Sequence, residues 1–101
     1  MLTLLITSTA WDARLSHRPR IAIYAKILWE LAERPSNPTR LSRACNLSYD
    51  VCMEMLNELE ARGLVLRKTE DGLYHATPEG YQWVLDFNKL WERVYPGTNL
   101  R

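Results

Sequence analysis

Apolar positions recur every three or four residues in three stretches of this chain, and proline, asparagine, serine and glycine divide those stretches where helices start or stop. From Pro19 to about Arg34 the set Ile21, Tyr24, Ala25, Ile27, Leu28 and Leu31 repeats at helical spacing. Pro19 suits the first turn, because the N–H it lacks would be unpaired there anyway. Pro35-Ser36-Asn37-Pro38 ends that helix, and Asn37 or Thr39 caps a short one running through Cys45. Ser48 caps the next, over residues 49–62, where its hydroxyl accepts from the first exposed amides and Asp50 favours the positive end of the dipole. Cys52, Met55, Leu56 and Leu59 make its inward stripe, and Gly63 supplies the left-handed position that stops it.

Beyond Gly63 the period shortens. Leu64 to Lys68 and Leu73 to Ala76 predict two short strands joined by Thr69-Glu70-Asp71-Gly72, in which Asp-Gly is a strong hairpin signal. A short helix, a tight turn, a longer helix and a two-stranded wing make an α+β, mostly α fold of the winged helix-turn-helix kind. Thr77-Pro78-Glu79 then opens a final helix that runs to about Tyr95, before Pro96-Gly97. Its apolar residues occupy two faces: Tyr81, Val84, Leu85 and Trp91 are expected to face the domain, whereas Trp83, Phe87, Leu90 and Val94 recur at 4, 3 and 4. A terminal helix apolar on two sides points to a second copy of itself, so Trp83, Phe87, Leu90, Trp91 and Val94 are the expected dimer interface; the alternative cover is the chain's own apolar leader. The organisation is thus an arm or strand at 1–16, the winged unit at 17–78, and a C-terminal dimerisation helix with its tail at 79–101.

The length of 101 residues and 47% apolar content suit one compact domain. The net charge of +1 conceals an asymmetry. Residues 1–45 carry seven Lys/Arg against three Asp/Glu, whereas residues 46–101 carry six against nine, so attraction for a polyanion should come from the N-terminal half. Cys45 and Cys52 lack zinc spacing and read as small buried residues, with a bridge across the turn left open, and no metal or cofactor is expected. Met1 to Ile6 is apolar but too short to span a membrane and lacks the basic flank of a signal peptide, which makes the cytoplasm the expected location.

Arg18-Pro19-Arg20-Ile21-Ala22-Ile23-Tyr24, Thr39-Arg40-Leu41, Asn46-Leu47-Ser48-Tyr49, Leu59-Glu60-Ala61-Arg62-Gly63-Leu64-Val65 and Tyr74-His75-Ala76-Thr77-Pro78-Glu79-Gly80 together resemble the small archaeal winged-helix DNA-binding proteins. The likeness covers roughly residues 18–95, and its more specific parts are the Asn-Leu-Ser-Tyr turn and the Thr-x-x-Gly after the wing. It implies an antiparallel C-terminal helix pair as dimer interface and double-stranded DNA as ligand. The chain departs from that family's usual Lys or Gln at Asp50, Val51, Met53 and Glu54, on the helix expected to enter the major groove.

Expected DNA contacts are Arg18 and Arg20 before and at the start of the first helix, Arg40 and Arg43 on the short helix, Ser48 and Tyr49 at the turn, and Arg67 and Lys68 on the wing. Each has a plainer reading: Arg40 and Arg43 as a solvated face, Arg67-Lys68 as an ion-paired hairpin with Glu70-Asp71, Tyr49 as a staple against the turn. His17 and His75 read as surface or strand residues, and Trp29, Trp83, Phe87 and Trp91 as core or interface rather than base-stacking groups. No nucleophile has a neighbouring base at a recognisable spacing, and four glycines make no phosphate loop, so catalysis is not expected. Two functions remain: a dimeric DNA-binding transcription regulator or architectural factor, or a protein-interaction module whose acidic helix 49–62 meets a basic partner.

Overall fold

The structure, a computed structural model, describes residues 19–94. The expectations for the arm at 1–16, for His17 and Arg18, and for the Pro96-Gly97 stop lie outside the described residues. The order of elements is α1 (Arg20–Glu33), α2 (Pro38–Ala44), α3 (Tyr49–Ala61), β1 (Val65–Arg67), β2 (Tyr74–Ala76) and α4 (Pro78–Val94). This is a winged helix-turn-helix of four helices and a small antiparallel sheet.

Helix α1 is the centre of the body. Ala22, Ile23, Tyr24, Ala25, Ile27, Leu28 and Leu31 are buried on most of its circumference, because α2, α4 and β2 all pack on it. Ile21, expected inward, is instead 51% exposed. It sits on the same stripe as Leu28 but in the first turn; periodicity locates a stripe without saying how far along it the neighbours extend.

Both ends of α2 are closed, one by a side-chain cap and the other by backbone bonds. Asn37, rather than Thr39, caps α2, its side chain accepting from the Arg40 amide at 2.8 Å with Pro38 in the first turn. At the other end Asn46 adopts φ 57°, and the Leu47 amide returns to the Ser42 carbonyl at 2.8 Å while that of Asn46 returns to Arg43. Gly63, at φ 76°, repeats this closure at the end of α3, where Leu64 N donates to Leu59 O and Gly63 N to Glu60 O. Ser48 caps α3 by accepting from Val51 N, and Cys52, Met55, Leu56 and Leu59 turn inward as the spacing predicts.

The strands pair Val65 with Ala76, Leu66 with His75 and Arg67 with Tyr74, which sends Val65 and Tyr74 into the core. One pairing has no signal in the sequence pattern. Ser36, read as part of a helix stop, is 2% exposed and exchanges backbone hydrogen bonds with Tyr74, adding a one-residue third rung to the wing sheet. A single bridging residue is too short to show an alternation.

Helix α4 is set in place at its first turn. The Thr77 hydroxyl accepts from Gly80 N and donates to Gly63 O, and Thr77 N donates to Leu64 O. This close approach turns Gly80 and Val84 to the core, with Phe87 and Trp91 continuing the same line. The expected division of faces is corrected accordingly. Trp83 and Phe87, expected outward, pack on the core and stack at 5.6 Å between centroids, whereas Tyr81, expected inward, is 50% exposed. Phe87 in turn stacks on Trp91 at 6.1 Å, and the apolar stripe ends in exposed Leu90 and Val94.

Candidate nucleic-acid interface

The turn before α3 presents its capping residue, Ser48, and the adjacent Tyr49, which is 52% exposed. Arg43, in the last turn of α2, is exposed, as are Arg67 at the end of β1 and Lys68 just after it. None of these three cations forms an ion pair among the described residues. They stand on the two elements that flank α3 in the chain.

Arg40 and Arg20 are placed differently. Arg40 donates through Nη1 to Ser36 Oγ at 2.8 Å, and its Nη2 lies 3.5 Å from Glu30 Oε1, so it braces α2 against the end of α1 and the Ser36 bridge. Glu30 also faces Lys26 one turn back. Arg20 crosses to α3, donating from Nε to Glu58 Oε1 at 3.1 Å and from Nη2 to Glu58 Oε2 at 2.5 Å and Glu54 Oε2 at 3.0 Å. Tyr24 donates its hydroxyl proton to the same Glu58 carboxylate, and Arg62 donates to the Tyr24 oxygen at 3.0 Å with its guanidinium 5.5 Å from the ring centroid. Two of the four acids on α3 are therefore held by a cation from α1. Sequence reasoning missed this cluster because its members are 34 to 38 residues apart, a separation that leaves no local pattern.

The Arg20 fork, and then the Tyr24 hydroxyl, pull the Glu58 carboxyl down to about 2 from 4.5. The same contacts raise the Arg20 guanidinium above its ordinary value. A folded-state value below the unfolded one stabilises the fold above the unfolded value, and that contribution disappears as protons titrate the folded carboxylate. Stability is therefore expected to fall between pH 4.5 and about 2, and Glu58→Gln to flatten the profile across that window in urea melts collected at successive pH values. A variant with the wild-type slope would exclude Glu58 as its source.

The wing tip is braced from within. Asp71 Oδ1 accepts from Leu73 N at 2.9 Å and Oδ2 lies 2.9 Å from His75 Nε2, contacts that hold the Asp71 carboxyl below the usual range, the backbone bond contributing most. Gly72, at φ 70°, closes the loop by donating to Lys68 O. His75 is thus a strand residue with an acidic neighbour, and Glu70-Asp71 do not pair with Arg67 or Lys68 within ion-pair distance. Cys45 and Cys52 are buried and not joined by a disulfide, and burial pushes the Cys52 thiol up to about 11, a protonated and unreactive state at neutral pH. Among the described residues, no three His, Cys, Asp or Glu side chains converge, and no helix is long and apolar enough to cross a membrane.

Comparison with known proteins places this geometry. A family model described as winged helix-turn-helix matches residues 17–94. A search of curated proteins found no match. Among solved structures, the chain is similar to the transcriptional regulator BldR from Sulfolobus solfataricus at 24% identity and a TM-score of 0.63, covering 75% of this chain and 61% of that one. It is also similar to the MarR family transcriptional regulator SPO1453 from Silicibacter pomeroyi DSS-3, at 19% identity and a TM-score of 0.66, covering 94% and 74%. A third likeness, to CalO1, a methyltransferase in calicheamicin biosynthesis, has 25% identity and a TM-score of 0.50 but takes in only 22% of that chain. What these likenesses share with the chain is the winged helix-turn-helix fold.

Proposed function

Because the chain belongs to the winged helix-turn-helix family, we propose that it is a dimeric regulator that binds double-stranded DNA in the cytoplasm, gripping the phosphate backbone on either side of α3. The observation that carries this reading is the set Arg43, Arg67 and Lys68, exposed cations that form no ion pair among the described residues, on the helix before α3 and on the wing after it. Phosphate contacts from the first motif helix and the wing fix such a domain on the duplex, and the amides and hydroxyls at Ser48 and Tyr49 add neutral donors at the helix start. Arg20 and Arg40 act indirectly, by holding α3 and α2 in place. Kinship with small archaeal dimeric DNA-binding proteins is part of the same proposal. The two regulators similar in fold support it, and no catalytic role is assigned. The other reading, an acidic α3 docking on a basic protein, is disfavoured because Arg20 already covers Glu54 and Glu58.

The proposed twin contact uses the outer part of α4. Leu90 is 62% and Val94 66% exposed, and they continue the stripe of Trp83, Phe87 and Trp91 past the point where the chain's own core covers it. Pairing two such helices would bury these side chains at about 1.5–3 kcal/mol for each large one. Leu90→Glu with Val94→Glu is expected to give a monomer by sedimentation with the helical signal retained, and a wild-type protein that sediments as a monomer at micromolar concentration would exclude the dimer. Retardation of a random duplex in low salt tests the DNA reading itself; a protein that leaves the duplex free there has another function.

A further inference from the structure

Arg20 stands in the first turn of α1 and reaches the middle of α3, where two parallel bonds hold Glu58 and a third holds Glu54. Its side chain is 50% exposed, that of Glu54 59% and that of Glu58 31%, so the Arg20–Glu54 pair lies at the surface and Glu58 is half-buried beneath it. The exposed Arg20–Glu54 pair adds little to folding. What these bonds alter is the charge that α3 presents. Between Tyr49 and Ala61 that helix carries Asp50, Glu54, Glu58 and Glu60 and no Lys or Arg. Asp50 lies in the first turn, beside the positive end of the dipole, and Glu60 points away from the Arg20 side of the helix. Glu54 and Glu58 are thus the carboxylates whose charge must be cancelled from outside the helix before it can approach a polyanion.

We infer that Arg20 is the internal counter-charge that lets α3 approach a nucleic-acid backbone, a positioning residue that works through Glu54 and Glu58 instead of touching phosphate. The inference rests on the DNA-binding reading above. Three features of the cluster support it. The guanidinium spends Nε and Nη2 on the two carboxylates in the planar fork that Arg, unlike Lys, can form. Arg never deprotonates at working pH, so the cover is permanent. Tyr24, itself bonded to Arg62, holds the Glu58 carboxylate from the core side, fixing where its negative charge sits.

The test is fluorescence anisotropy on random duplex DNA with the full chain: wild type, Arg20→Gln, Glu54→Gln with Glu58→Gln, and the triple variant, each checked by thermal melting. Arg20→Gln is expected to weaken binding by about tenfold near ~0.1 M salt, and the triple variant to regain wild-type affinity or better. A structural role alone would not give that rescue, since the triple variant lacks the inter-helix bonds altogether. A triple variant as weak as Arg20→Gln would overturn the inference, as would an Arg20→Gln protein that binds like wild type. If Arg20→Gln does not fold, the triple variant decides alone: affinity at or above wild type supports the inference, and affinity below it overturns the inference. Wild-type protein that ignores DNA at low salt would overturn the DNA reading and this inference together, whereas wild-type binding without rescue overturns only the latter.

Discussion

Gly80→Ala is expected to lower the melting temperature by roughly 10–20 °C, an overpacking cost on the order of 3 kcal/mol in a domain of this size. A Cβ at this position would lie 2.0 Å from the Leu64 carbonyl oxygen, 3.0 Å from its carbon and 3.2 Å from Leu28 Cδ2. The first two are backbone atoms at the junction of α3 and β1, and the oxygen already accepts from Thr77 N. No rotamer change can relieve such a clash. Helix α4 would have to lift away from the wing and α1, taking Val84, which is fully buried, out of its seat. Gly63→Ala is the control: nothing lies within 4 Å of its would-be Cβ, and only the positive φ opposes it, at about 1–2 kcal/mol. Circular dichroism melts of the two variants rank the effects, and a Gly80→Ala protein as stable as Gly63→Ala would show that the close approach of α4 to Leu64 is not what holds the helix.

Replacing Arg43, Arg67 and Lys68 together by Glu is expected to weaken binding to random duplex by at least about 100-fold while leaving the melting temperature nearly unchanged. All three are exposed and make no ion pair within the described residues, so their replacement breaks no ion pair there. Each phosphate contact contributes chiefly by releasing a counterion, and a two-fold particle loses the set twice. Arg40 is left out of this variant on structural grounds, since a glutamate there would face Glu30 and free Ser36, mixing a folding defect with a binding one. Anisotropy titration and a melt on the same samples separate the two. Unchanged affinity would remove these residues from the interface.

The parts of the fold that were readable in the sequence are those governed by neighbours in the chain. Ser48, Asn37, Thr77 and Gly63 announce helix ends because capping and left-handed closure act over three or four residues. The stripe Cys52, Met55, Leu56 and Leu59 is likewise a matter of local period. What escaped notice depends on distant partners. The Ser36 rung needs Tyr74, and the neutralisation of Glu54 and Glu58 needs Arg20 from another helix. The rotation of α4, which carries Trp83 and Phe87 inward and Tyr81 outward, follows from the space that Gly80 leaves beside Leu64. On the candidate interface, the sequence offered a set of basic residues; of those described, Arg43, Arg67 and Lys68 form no ion pair among the described residues, whereas Arg20 and Arg40 serve internal contacts.

The salt dependence of wild-type binding to random duplex tests the central claim most directly. Three phosphate contacts in each subunit of a dimer predict a slope of about −5 in log affinity against log salt concentration. A slope flatter than about −1, or a duplex left unbound at low salt, would contradict an account in which this winged helix holds DNA by its backbone.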